Sequence, residues 1–107
     1  MTEHEFRERC ERLMRRIEDA IDASGADVDT TANESVLELG FEDGATVVVS
    51  ANAPLQQIWV AAPSGGFHYR HDGARWLDTR SGDELLVALG ALLSRHAGVP
   101  VSLHDGG

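Results

Sequence analysis

Nine carboxylates, Glu18, Asp19, Asp22, Asp27, Asp29, Glu34, Glu38, Glu42 and Asp43, stand in a stretch without a single lysine or arginine, because no base occurs between Arg16 and Arg70. Oxygen-only ligands on an open surface suit hard cations such as Fe²⁺, Fe³⁺, Mn²⁺ or Ca²⁺ better than zinc or copper. No EF-hand or other ligand-loop spacing runs through them, so the affinity expected of such a surface is modest. The competing reading is a solvated acidic face that keeps a small protein soluble and serves only electrostatic docking.

Other chemistry is sparse. His4, His68, His71, His96 and His104 are scattered, and the odd separation of His68 and His71 places them on opposite sides of any strand holding both. His4 shares the helical-wheel angle of Asp22 but lies about 27 Å away along a helix axis. Ser24, Ser35, Ser64 and Ser81 lack a nucleophile-elbow context, and no glycine-rich phosphate loop joins a strand to a helix. One cysteine, Cys10, excludes intrachain disulfides and multi-cysteine metal sites, and it falls on an apolar helix face as a buried thiol. No enzymatic activity is expected; oxidation of iron at the acids is the weakest reading, since that surface is open and has no histidine ligand.

The elements that must carry these residues follow from hydrophobic period. Phe6, Cys10, Leu13, Met14, Ile17, Ala20 and Ile21 recur at three- and four-residue steps, predicting a helix that ends near Ala23–Ser24–Gly25. On its wheel Glu18, Asp22 and Asp19 fall at about 120°, 160° and 220° from Phe6, away from the core stripe. Glu18 and Asp22 repel each other at i,i+4. All three acids lie near the negative end of the helix dipole, where each is unfavourable by roughly 0.3–1 kcal/mol. Local stability does not select them. Earlier in the helix Glu5–Arg9, Glu8–Arg12 and Glu11–Arg15 have the favourable acid-before-base spacing. Asp27 and Asp29 alternate around Val28 and project to one side of an extended segment, so five uncompensated carboxylates are expected near one edge.

Strands are expected at Val36–Phe41, Ala45–Ser50, Gln57–Ala62 and Phe67–Arg70, with a shorter one around Arg75–Asp78 and a weaker one including Val28. Glu42–Asp43–Gly44, Asn52–Ala53–Pro54 and Pro63–Ser64–Gly65–Gly66 supply the turns. Ile58, Val60 and Ala62 form the inward set, which leaves Trp59 facing water beside Gln57 as an anchor for a protein partner; packing under a loop is the alternative. On the first reading, Trp59→Ala weakens partner binding with little unfolding. Trp76 reads as packing. A second helix is expected from Ser81, with Glu84 completing a capping box, through Leu85, Leu86, Leu89, Leu92 and Leu93 to a stop at Gly98 and Pro100. The fold class is therefore α+β, a two-layer α-β sandwich with two helices on one face of an antiparallel sheet. One domain spans 1–107, with a frayed tail from His104.

Composition agrees. With 107 residues, 42% of them hydrophobic, the chain has room for one core. A net charge of −9 argues against nucleic acid, and no apolar run approaches the roughly 20 residues of a membrane helix. The acidic N-terminus lacks the apolar segment of a secretory signal, so a cytoplasmic protein starting near Met1 is expected.

Several segments in this order resemble the frataxin family, in its bacterial CyaY type. They are the acidic first helix, Pro54–Leu55–Gln56–Gln57–Ile58–Trp59–Val60–Ala61, Gly65–Gly66–Phe67–His68–Tyr69, and Trp76 with Arg80–Ser81–Gly82–Asp83–Glu84. The resemblance runs from about Glu5 to Gly98. It implies iron (Fe²⁺ or Fe³⁺) held weakly on an acidic ridge, no organic cofactor, and a role in iron–sulfur cluster assembly through contact with a cysteine desulfurase and its scaffold protein. It further implies a monomer that can form oligomers with iron. Carried onto this chain, the ridge is Glu18, Asp19, Asp22, Asp27 and Asp29. The partner-binding set is Trp59, Gln57 and Asn52 with Glu18 and Asp22. Ser50–Ala51–Asn52–Ala53–Pro54 departs from the Asn-x-Gln-x-Pro run of many members, which alters the polar contacts expected there. The loop after the first helix is shorter and less acidic than in some bacterial members, which implies fewer or weaker iron sites.

Overall fold

The first helix begins where Thr2 can close it: the threonine hydroxyl accepts the Glu5 amide at 3.0 Å, and α1 runs Glu3–Ser24 to a left-handed Gly25 at φ 73°. The structure, a computed structural model, describes residues 1–103, so the tail from His104 lies outside the described residues. Six strands follow, β1 (Val28–Ala32), β2 (Val36–Phe41), β3 (Thr46–Asn52), β4 (Gln57–Ala62), β5 (Gly65–His71) and β6 (Trp76–Asp78), and then α2 (Leu85–Ala97). The sheet is antiparallel throughout, in the order β1-β2-β3-β4-β5-β6.

Alternation sorts each strand into a wet and a dry side. Leu37, Leu39, Phe41, Val47, Val49, Ile58, Val60 and Tyr69 face the helices and join Phe6, Cys10, Leu13, Ile17 and Ile21 of α1 and Leu85, Leu89, Leu92 and Leu93 of α2 in one core. Both helices therefore cover one face, as expected. Val101 and Leu103, beyond α2, complete that core, and the Arg16 guanidinium donates to the Leu103 carbonyl at 3.2 Å. The turn at Glu42–Gly44 is tied to the far end of α2, where Asp43 Oδ2 and His96 Nδ1 lie 2.8 Å apart. That hydrogen bond, with one from the Ala45 amide, holds the Asp43 carboxyl below the usual carboxylate range.

Three sequence expectations are corrected. The second helix starts at Leu85 rather than Ser81. Gly82 is left-handed at φ 78°, Ser81 spends its hydroxyl on the Asp83 amide, and Glu84 pairs with Leu77 before its own carboxylate caps the Leu86 amide at 2.6 Å. Gly65 and Gly66, expected as turn residues, lie in β5 opposite Ala62 and Ala61, so that turn contains only Pro63 and Ser64. The expected pairs Glu5–Arg9, Glu8–Arg12 and Glu11–Arg15 are not formed among the described residues. Glu3–Arg7 and His4–Glu8 pair instead, and Arg9 turns toward His71. Exposed i,i+4 pairs contribute only about 0.3–0.5 kcal/mol, so little holds any one set of them together.

Cys10 is buried, as expected, at 5% exposure, and burial followed by the nearby Glu11 charge pushes its thiol up to about 12. The thiolate is the reactive species. The expected result is no detectable modification by a disulfide reagent at pH 8 in the native state and complete modification in denaturant. Rapid native labelling would show that α1 detaches from the sheet.

Candidate functional site

The ridge acids occupy the last two turns of α1, the link after it, and the edge strand. Glu18 is half-buried at the margin of the helix stripe, whereas Asp19, Asp22, Asp27 and Asp29 are exposed. No basic residue lies in the last turn of α1 to offset the dipole, in contrast to α2, which ends with Arg95 and His96. Val28 pairs with Phe41 and leans toward the core, so Asp29, opposite Gly40, turns to the face of the sheet away from the helices. Its Cβ would lie 3.7 Å from a Cβ added at Gly40, an ordinary van der Waals contact. None of the five carboxylates makes an ion pair or side-chain hydrogen bond with another described residue. They line a path from the helix layer around the β1 edge to the sheet layer. Among the described residues no three His, Cys, Asp or Glu side chains are close enough together to hold a metal ion. The surface is thus a negative field with separate carboxylates, able to attract cations by charge without enclosing one.

The second cluster lies on the outer face of the sheet. Trp59 is half-buried there between Ser50 on β3 and His68 on β5. Its ring stacks on His68, with centroids 4.4 Å apart and planes 10° from parallel, and its indole N–H donates to Gln57 Oε1 at 2.8 Å. Gln57 is only 9% exposed, so it positions the indole more than it meets a partner. Asn52 pairs with Gln57 across the ladder, and its side-chain oxygen accepts the Leu55 amide at 3.0 Å, closing the turn between β3 and β4. Trp59, Gln57 and Asn52 therefore share one face, while Glu18 and Asp22 belong to the helix layer on the other side. A flat aromatic pair on an uncovered sheet face offers a stacking platform to a protein partner.

Sequence reasoning missed His68 as a member of this cluster. The available signal was the turn: a two-residue loop at Pro63–Ser64 places residue 68 opposite 59, whereas the four-residue turn expected there places Arg70 opposite it. Among the described residues, no helix is long and apolar enough to cross a membrane.

The chain matches the model of the frataxin-like domain over residues 1–99. It is 48% identical over 93 residues to the iron-sulfur cluster assembly protein CyaY of Cupriavidus metallidurans, covering 87% of this chain and 84% of that one. To the protein of the same description from Bordetella parapertussis it is 52% identical over 107 residues, covering 96% and 98%. Among solved structures it is similar to frataxin from Psychromonas ingrahamii, with a TM-score of 0.90 at 36% identity, covering 98% of this chain and 100% of that one. The trimeric frataxin of Saccharomyces cerevisiae, complexed with ferrous iron, has a TM-score of 0.72 at 22% identity, over 92% and 88% of the two chains. That last likeness concerns the fold.

Proposed function

The chain belongs to the frataxin family, and from that membership we propose that it is a cytoplasmic iron–sulfur cluster assembly protein that works by binding rather than by catalysis. In this reading Glu18, Asp19, Asp22, Asp27 and Asp29 attract Fe²⁺ or Fe³⁺ weakly, and the same negative surface docks on a basic patch of a cysteine desulfurase. Trp59 anchors a contact with the desulfurase or its scaffold. The observation that carries the reading is the run of five carboxylates without ion-pair partners, three of which, Glu18, Asp19 and Asp22, stand toward a helix end where local energetics disfavour them. Residues placed against their local stability are expected to serve a ligand.

The experiment is an anaerobic Fe²⁺ titration followed by amide NMR. Broadening confined to residues around 18–29 supports the iron-handling role, and its absence at millimolar iron sinks it. The double variant Asp19→Asn with Asp22→Asn should bind Fe²⁺ more weakly. It should also gain roughly 0.3–1 kcal/mol of stability per acid removed, by relief of dipole and like-charge strain, readable in urea melts. A clear loss of stability would show that these acids are structurally paired.

A second reading, a docking module that needs no metal, is favoured by the absence of any three-ligand group among the described residues. Salt weakens docking on both readings. Only the first has Fe²⁺ change the affinity for the desulfurase beyond what an equal ionic strength of potassium does.

A further inference from the structure

The chain has no lysine and nine arginines against eighteen acids, yet four of those arginines line one groove of about 330 Å³ between the middle of α1 and the β5–β6 end of the sheet. Arg9, Arg12 and Arg16 recur at helical steps on one stripe of α1. Arg75 comes from the turn joining β5 to β6, and Trp76 and His71 form part of the wall. Arg16 is engaged with the Leu103 carbonyl and is set aside. Glu84 is the one acid on the wall, its carboxylate already accepting the Leu86 amide. Asp72, beside the groove, turns back to accept the Ala74 and Arg75 amides. Arg9, Arg12 and Arg75 against Glu84 and the neighbouring Asp72, whose charge reaches Arg75 and His71, still leave the groove net positive on a molecule that is strongly negative. Arg12 and Arg75 are exposed and make no ion pair with any described residue.

The His71 ring adds an independent indication. Its Nδ1 accepts the Gly73 amide at 3.0 Å, so the neutral ring carries its proton on Nε2. Burial first, and then the Arg9 guanidinium, hold His71 below its ordinary value, which keeps the ring neutral near pH 7. Arg9 Nη1 nevertheless lies 3.3 Å from that same Nε2. A neutral imidazole accepts at one nitrogen only, so with the Gly73 amide on Nδ1 the Arg9 guanidinium and the His71 Nε2–H are both donors on this wall, and an oxygen anion could accept from both.

We propose that this groove binds a small oxyanion with two or more negative charges, a polycarboxylate or a polyphosphate, held by the Arg9, Arg12 and Arg75 guanidiniums and the His71 Nε2–H. Planar guanidinium forks match carboxylate and phosphate alike. The volume lies at the lower end of the roughly 300–1,000 Å³ of small-molecule sites, which suits such a ligand better than a peptide. The site is separate from the acidic ridge and does not rest on iron binding.

The test is calorimetric titration of the metal-free chain at low ionic strength with citrate and with pyrophosphate, using acetate as the monovalent control. One of the two polyanions should bind at least tenfold tighter than acetate. Preference for citrate identifies a carboxylate source, and preference for pyrophosphate a phosphate source. Arg12→Gln with Arg75→Gln should weaken that binding at least tenfold without moving the melting temperature, and binding should shift the His71 Nε2 resonance. Arg80→Gln with Arg95→Gln removes the same charge outside the groove and should leave the affinity within twofold. Equal losses in the two double variants, or polyanions no tighter than acetate, would overturn the proposal.

Discussion

Ile17→Ala is expected to lower stability by about 2–5 kcal/mol, the range for truncating a fully buried aliphatic side chain in a packed core. Ile17 has 0% exposure and lies at the centre of the α1 stripe, between Leu13 and Ile21, among the side chains that seal the helix to the sheet. A domain of this size has about 5–15 kcal/mol in total, and each kcal/mol moves the melting temperature by roughly 4–8 °C. A fall of about 10–30 °C in a calorimetric scan is therefore expected. Asp19→Asn with Asp22→Asn, a few residues further along the same helix, should shift it slightly the other way. This opposition separates the two sides of α1: one holds the fold, and the other works against it. A loss below about 1 kcal/mol for Ile17→Ala would mean that α1 is not packed as described.

Trp59→Ala is expected to weaken binding to a cysteine desulfurase at least tenfold, because a half-buried aromatic on an uncovered sheet face has the character of an interface hot spot. Stability should fall as well, against the expectation of little unfolding drawn from the sequence. Truncation leaves the nearly buried Gln57 carbonyl without its indole donor, a loss of about 1–3 kcal/mol, and removes the stack on His68, roughly 0.5–1.5 kcal/mol more. Trp59→Phe combined with Gln57→Met should recover most of that stability, since it removes donor and acceptor together. Calorimetric binding and urea melts on the three proteins separate the two effects. Unchanged desulfurase affinity in Trp59→Ala would remove this face from the partner interface.

What could be read in advance divides along one physical line. The α1 stripe, the inward set of each strand and the stop at Gly98 follow from period and from local backbone chemistry, which the sequence displays directly. Element ends decided by competing hydrogen bonds did not. Ser81 and Glu84 form a sound capping pattern, but a left-handed Gly82 and the Leu77 bridge claim those residues for a loop. A two-residue difference in one turn displaced the partner of Trp59 from His68 to Arg70, so the stacked pair was invisible while Trp59 itself was not. The ridge acids were legible one by one as charges lacking nearby bases. Their spacing was not, because it depends on how the link after α1 leads into an edge strand whose Asp29 turns away from the helices.

The sheet visits its strands in chain order, each joined to the next by two to four residues, while its two helices come from opposite ends of the chain. Every hairpin can thus close locally, at small entropic expense, whereas docking α1 beside α2 must close nearly the whole polypeptide. Contacts of short sequence separation favour rapid folding, and the pairing of the chain's two ends is the step most easily left until after the barrier. Interactions made after the barrier govern how fast the native state is lost rather than how fast it is gained. Damage to α1, Ile17→Ala included, should accordingly steepen the loss of protein over time while refolding from denaturant stays near its original speed. A variant that refolds more slowly instead would place α1 inside the nucleus. Unchanged refolding with faster loss makes the helix that carries the acidic surface the last part to arrive and the first to leave.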